Sequence, residues 1–138
     1  MVQLIIGVKG KGKTKVLLDK VNQEIAGVNG SGVYLDKDKQ HMFEVSRKVR
    51  LIDVTDFQIE DTDEFIGFLL GIISQDHDLE KVYIDSFLNV AKTDADHTGK
   101  ALDRIAAISE KYSVDFMIAL SVEKSQLPEK YVNNVISE

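Results

Sequence analysis

VQLIIGVKGKGKTKVLLDKV (Val2–Val21) decides the fold. Its first five residues, VQLII, are rich in branched apolar side chains, which suit a buried strand. Its end opens KVLLDKVNQEIAGV (Lys15–Val28), where Val16, Leu17, Val21 and Ile25 fall near helical spacing. That spacing predicts a helix, with Gly27 at its C-cap. Between strand and helix lies GVKGKGKT (Gly7–Thr14), three glycines and three lysines in eight residues. It fits G-x-x-x-x-G-K-[ST] without a mismatch, through Gly7, Gly12, Lys13 and Thr14. Such a motif carries weight only between a strand and a helix, and both flank it here.

The plain reading is a lysine-rich turn. The chemical reading is a phosphate cradle, and it accounts for the composition. Phosphates approach a backbone closely where glycine removes the side chain. Successive N–H groups then form a concave anion site, and the following helix N-terminus adds free N–H groups and partial positive charge. Lys9, Lys11 and Lys15 add charge around the loop or are simply solvated. A chance match in a chain of this length is on the order of one in a hundred.

The stretch resembles the Walker A element of the P-loop NTPases. The resemblance is specific over about the first thirty residues and architectural beyond them. It implies that Gly7, Val8, Lys9, Gly10, Lys11, Gly12, Lys13, Thr14 and Lys15 bind ATP or another nucleoside triphosphate. In it, Lys13 acts on the β- and γ-phosphates and the Thr14 hydroxyl ligates Mg²⁺. KVYID (Lys81–Asp85) resembles a Walker B strand, which makes Asp85 the second Mg²⁺ residue. Ser121, after the apolar FMIAL, resembles a position that contacts the γ-phosphate, and is equally an ordinary strand-end serine.

The sequence departs from that pattern just after Asp85. Many P-loop ATPases with an extra central strand place a water-polarising glutamate there, and this chain has Ser86. Asp53, Asp56 and Glu60 are the nearby carboxylates, with Asp56 the candidate base, although each also reads as a solvated or capping residue. Other P-loop branches fit less well. There is no cysteine for a zinc ribbon, only three arginines for a kinase lid, and no N-K-x-D motif for guanine. The strand count and the placement of Asp85 resemble the RecA-like branch more closely.

The bulk numbers agree with one domain of 138 residues, 43% hydrophobic and 29% charged. A net charge of −6 argues against broad nucleic-acid binding. No secretory signal pattern opens the chain. FIGFLLGII (Phe65–Ile73) is far short of the roughly 20 residues that span a bilayer, so a cytoplasmic protein is expected. His41, His77 and His97 sit in polar stretches, and Asp94, Asp96 and His97 read as a solvated loop.

Further strands are expected at GVYLD (Gly32–Asp36), VRLIDV (Val49–Val54), Lys81–Asp85 and VDFMIALS (Val114–Ser121). Helices are expected from Asp61 or Thr62 to about Ser74, and over Ala101–Tyr112 after a cap at Asp96 or Thr98. Lys37–Lys48 reads as a hairpin, an excursion or a short helix, and the stretch around Tyr131–Ile136 as a short strand or helix. Alternating strands and helices imply an α/β fold: a three-layer αβα arrangement with a mostly parallel central sheet of about five strands. In such sheets ligands bind beyond the carboxyl ends of the strands, where the glycine loop, Asp85 and Ser121 all fall.

The leading expectation is therefore a Mg²⁺-dependent, triphosphate-binding protein with weak ATPase activity. Its rivals are a nucleotide-sensing or assembly module that binds without turnover, and an interaction domain that binds no nucleotide. Missing catalytic groups can be supplied in trans, so a homo-oligomer or a protein partner belongs to the expectation.

Overall fold

The computed structural model describes residues 1–10 and 12–138. Lys11 lies outside the described residues. Six parallel strands form one sheet in the order β3-β2-β4-β5-β1-β6. They are β1 (Val2–Ile6), β2 (Ser31–Asp36), β3 (Val49–Asp53), β4 (Leu79–Ile84), β5 (Asp115–Leu120) and β6 (Val135–Ser137). The sheet is thus wholly parallel and one strand larger than expected. The added member is the short edge strand β6, which pairs with β1 at Leu4 and Ile5.

Strand alternation sorts the core into two layers. Leu4, Ile6, Val33, Leu35, Val82, Ile84, Phe116, Ile118 and Leu120 face one side. There they meet α2 (Thr62–Gln75) and α4 (Gly99–Tyr112). Buried positions on α2 recur at Phe65, Ile66, Leu69, Ile72 and Ile73, and on α4 at Ala101, Leu102, Ile105 and Ile108. Both sets make one apolar stripe per helix. Asp61 caps α2 by accepting from the Glu64 N–H at 2.8 Å. Thr98 holds the N-cap place of α4 without capping it, because its backbone is already helical there.

The opposite side carries Ile5, Tyr34, Tyr83, Met117 and Ala119 against α1 (Lys13–Glu24). Leu17, Leu18 and Val21 anchor that helix, each burial being worth about 2 kcal/mol. The helix ends sooner than its apolar pattern suggests: Ile25–Gly27 tightens into a 3₁₀ turn, so Gly27 is not its C-cap. Residues 37–48 form neither hairpin nor helix but a run of turns laid along α1. Asn22 clamps this segment by donating to the Glu44 carbonyl at 2.8 Å and accepting from the Ser46 N–H at 2.9 Å. Val45, between them, is buried. A short helix, α3 (Phe87–Val90), follows β4, because Phe87 and Val90 bury into the core. Among the described residues, no helix is long and apolar enough to cross a membrane.

Candidate functional site

β5 lies between β1 and β4, so the glycine loop after β1 and the carboxylate after β4 flank one strand end. The crevice above that end is a cavity of about 590 Å³. Its walls come from three stretches, Lys9, Gly10 and Gly12 with the start of α1, residues 36–38 with Gln40 and His41, and residues 85–89, while Ala119 and Ser121 form its floor.

The loop owes its shape to glycine. Gly10 and Gly12 have φ of +87° and +78°, in the left-handed region that other residues enter at a cost. A Cβ at either would meet no protein atom within 4 Å, so the backbone conformation, not crowding, selects glycine. Behind the loop, the Gly7 N–H donates to the Val122 carbonyl at 3.0 Å and ties β1 to the segment after β5. Lys13 opens α1 and turns back, its Nζ donating to the Val8 carbonyl at 3.1 Å. Partial burial lowers the Lys13 pKa, with the charge of Asp85 opposing that shift.

Across the cavity stand two carboxylates. Tyr34 and Leu35 of β2 pair with Tyr83 and Ile84 of β4, and the Asp85 N–H just beyond donates to the Leu35 carbonyl at 2.8 Å. Both strands therefore end at one level with an aspartate on the α1 side. Asp36 is 2% exposed and Asp85 4%. Asp85 accepts from the Tyr34 hydroxyl on Oδ2 and from the Ser86 N–H on Oδ1, both at 2.8 Å. Ser86 reaches that position with φ of 52°. Among the described residues, Asp36 accepts only from the Lys37 N–H, at 2.7 Å. Burial, then the charge of Asp85, push the Asp36 carboxyl up to about 6.

Of the residues singled out from the sequence, Lys9, Gly10, Gly12, Lys13, Thr14, Asp85 and Ser121 line this cavity. Gly7 and Val8 support the loop from behind. Lys15 is exposed on α1 and borders a smaller hollow shared with His41 and Glu44. Asp56 is not brought in. It stands in the 3₁₀ turn after β3, exposed and paired with Lys39 at 3.1 Å. Asp53 caps that turn and Glu60 lies beyond it, exposed. β3 is the far edge strand, and only the end of β2 lies beside β4.

The carboxylate that does arrive, Asp36, was missed in sequence. Its signal was present, since GVYLD and KVYID share the pattern Val-Tyr-aliphatic-Asp. His41, read as a surface residue, also lines the cavity, with its Nδ1 3.0 Å from Glu44 Oε2. His97 and Asp94 pair with each other in an exposed loop.

The architecture is an α/β fold, a wholly parallel sheet of six strands flanked by helices. No protein-family profile matches the chain, and no curated protein matches it. Among solved structures it is similar to a KaiC-like protein from the hyperthermophilic archaeon Pyrococcus horikoshii, with a TM-score of 0.57 and 13% identity. The match covers 87% of this chain and 62% of that one, so the chain spans less than two thirds of that protein. The likeness is one of fold.

Proposed function

We propose that the chain is a single nucleoside-triphosphate-binding domain, with Mg²⁺ as co-ligand and slow intrinsic hydrolysis. One observation carries the reading: a left-handed glycine loop delivers Lys13 and Thr14 to one side of a crevice whose other side holds Asp85 and Asp36. The residues fit the ligands. The loop offers N–H groups and a helix N-terminus to phosphate oxygens. Thr14 and Asp85 supply the hard oxygen donors that Mg²⁺ takes in small number, its remaining positions going to water and phosphate. Among the described residues no group of three or more acidic, histidine or cysteine side chains could hold a metal alone. That suits an ion which arrives with its phosphates. Bound Mg²⁺ would neutralise charge on the phosphate oxygens.

The remaining roles belong to the chain. Lys13 would leave the Val8 carbonyl for a phosphate oxygen and would stay charged there. Asp36 is the carboxylate placed to orient a water beside the terminal phosphate, in the role the sequence suggested for Asp56. Aspartate is one methylene shorter than glutamate, and Asp36 is half protonated near pH 6. No arginine lines the cavity among the described residues. Phosphoryl transfer needs both water positioning and positive charge at the γ-phosphate. We therefore expect turnover below about 1 s⁻¹, the low end of ordinary enzymes. A partner or second copy that brought an arginine to the rim would raise it. The same lack favours, as a second reading, a module that binds triphosphate to signal or assemble rather than to hydrolyse it.

Calorimetry with ATP and GTP, with and without Mg²⁺, tests the proposal. Lys13→Ala should lose most affinity and keep its melting temperature, because among the described residues the lysine's one hydrogen bond goes to an exposed carbonyl. Unchanged affinity in that variant would sink the phosphate-loop reading. No binding of either nucleotide to the wild-type protein would leave an interaction domain.

A further inference from the structure

Two buried tyrosines pair across β2 and β4 on the α1 face, Tyr34 opposite Tyr83. They have the same strand setting and hold different partners. The Tyr83 hydroxyl donates to Glu24 Oε1 at 2.8 Å, near the C-terminal end of α1. The Tyr34 hydroxyl reaches diagonally to Asp85 Oδ2, also at 2.8 Å. A residue two places along the neighbouring strand projects from the same face, within reach of a long side chain.

We infer that Tyr34 is a positioning residue for Asp85: its hydroxyl fixes the carboxylate in the orientation that serves a divalent cation at the triphosphate site. The inference deepens the function proposed above and rests on Asp85 holding Mg²⁺. Two features carry it. First, among the described residues each Asp85 oxygen has one donor, Tyr34 O–H or Ser86 N–H. Rotation about the carboxylate would break both bonds, and each oxygen keeps lone pairs for a metal or its waters. Second, Tyr34 is 0% exposed, so its hydroxyl has no bulk water to turn to and its ring is locked by the packing of Leu17, Val21 and their neighbours. Groups that orient the ligands of a metal commonly change its affinity by about 10- to 100-fold when removed.

A purely structural tyrosine would satisfy its hydroxyl in the same way, and Tyr83 supplies the control. Tyr34→Phe and Tyr83→Phe each delete one hydroxyl from the same layer, and only the first touches Asp85. Triphosphate binding is measured by calorimetry in EDTA and then across a Mg²⁺ series. In Tyr34→Phe the Mg²⁺ midpoint should rise by about 10-fold while metal-free affinity stays at the wild-type value. Tyr83→Phe should match wild type in both. In an Asp85→Asn background, Tyr34→Phe should add no further shift.

A Tyr34→Phe midpoint equal to wild type, or an equal shift in Tyr83→Phe, overturns the inference. A wild-type protein that binds triphosphate without any Mg²⁺ dependence removes the Asp85 assignment itself, and the positioning role with it. That failure appears before any variant is made. Should Tyr34→Phe not fold, 3,5-difluorotyrosine at position 34 keeps the hydroxyl and makes it a stronger donor. It should move the Mg²⁺ midpoint, and an unmoved midpoint overturns the inference.

Discussion

Replacing Asp36 with asparagine should make the protein more stable at neutral pH, and the gain should vanish in acid. Asp36 is buried at the end of β2 beside Asp85, with one N–H donor for its own carboxylate. Burial and the neighbouring charge push its carboxyl up to about 6, whereas an aspartate in the unfolded chain titrates near 4. From about pH 4 to about pH 6 the folded protein therefore retains a proton that the unfolded chain has released. Stability must fall as pH rises through that window, and above it the full penalty is in place. A displacement of about two pH units corresponds to at most about 3 kcal/mol, and water entering the open cavity reduces it, so about 1–3 kcal/mol is expected. Asparagine carries no charge and can still accept from the Lys37 N–H. Urea denaturation of both proteins from pH 4 to pH 8 reads the effect. Their difference should be near zero at pH 4 and reach about 1–3 kcal/mol in favour of Asp36→Asn by pH 7. Asp94, hydrogen-bonded to His97, and Asp103, hydrogen-bonded to Lys130 and Tyr131, are held below the usual carboxylate range. Their contributions fade only below about pH 4 and cancel in the difference between the two proteins. A difference that does not vary with pH, or a wild-type protein that is the more stable at pH 7, would refute the burial and charge argument.

Two further outcomes follow from the same geometry. Asn22→Ala leaves the Glu44 carbonyl and the Ser46 N–H without their clamp, which should cost roughly 1–2 kcal/mol and speed amide exchange at Val45 and Ser46; unaltered exchange there would mean that Val45 alone holds the segment. If the protein hydrolyses ATP at all, Asp36→Asn should reduce the rate and Asp56→Asn should leave it unchanged, since Lys39 holds Asp56 outside the cavity; a rate that falls only with Asp56→Asn would reverse the assignment.

The loop and β1 were legible because glycine, lysine and branched residues each have few reasons to occur in that order. VQLII is β1 residue for residue, and the capping aspartate of α2 was readable from local chemistry. The order of the strands was not. Nothing in VRLIDV says that it pairs outside β2, yet that choice removes Asp56 from the cavity. The edge strand β6 is three residues long, too short for a periodic signal to separate it from the 3₁₀ turn before it. Residues 37–48 carry polar groups that the cavity uses and only Val45 for burial, so their path is set by Asn22 on another element. Local pattern recovers elements; which side chains meet depends on register between elements distant in sequence.

The twin tetrapeptides Val33–Asp36 and Val82–Asp85 make that dependence concrete. Each reads Val-Tyr-aliphatic-Asp, and by local pattern the two aspartates are equivalent. Their register places tyrosine beside tyrosine and brings both strands to an end together. The symmetry then breaks at the hydroxyls. Tyr34 donates to Asp85, while Tyr83 turns to Glu24 of α1 and gives nothing to Asp36. One carboxylate is left with two donors and the other with one. On the function proposed above, the carboxylate held by two donors would be the one that serves the cation. One with a single donor, buried beside a like charge, takes up a proton near pH 6 and is the better placed to accept one from water. The proposed division of labour between Asp85 and Asp36 thus rests on where two phenols point, and Tyr34→Phe and Asp36→Asn should separate metal affinity from proton uptake.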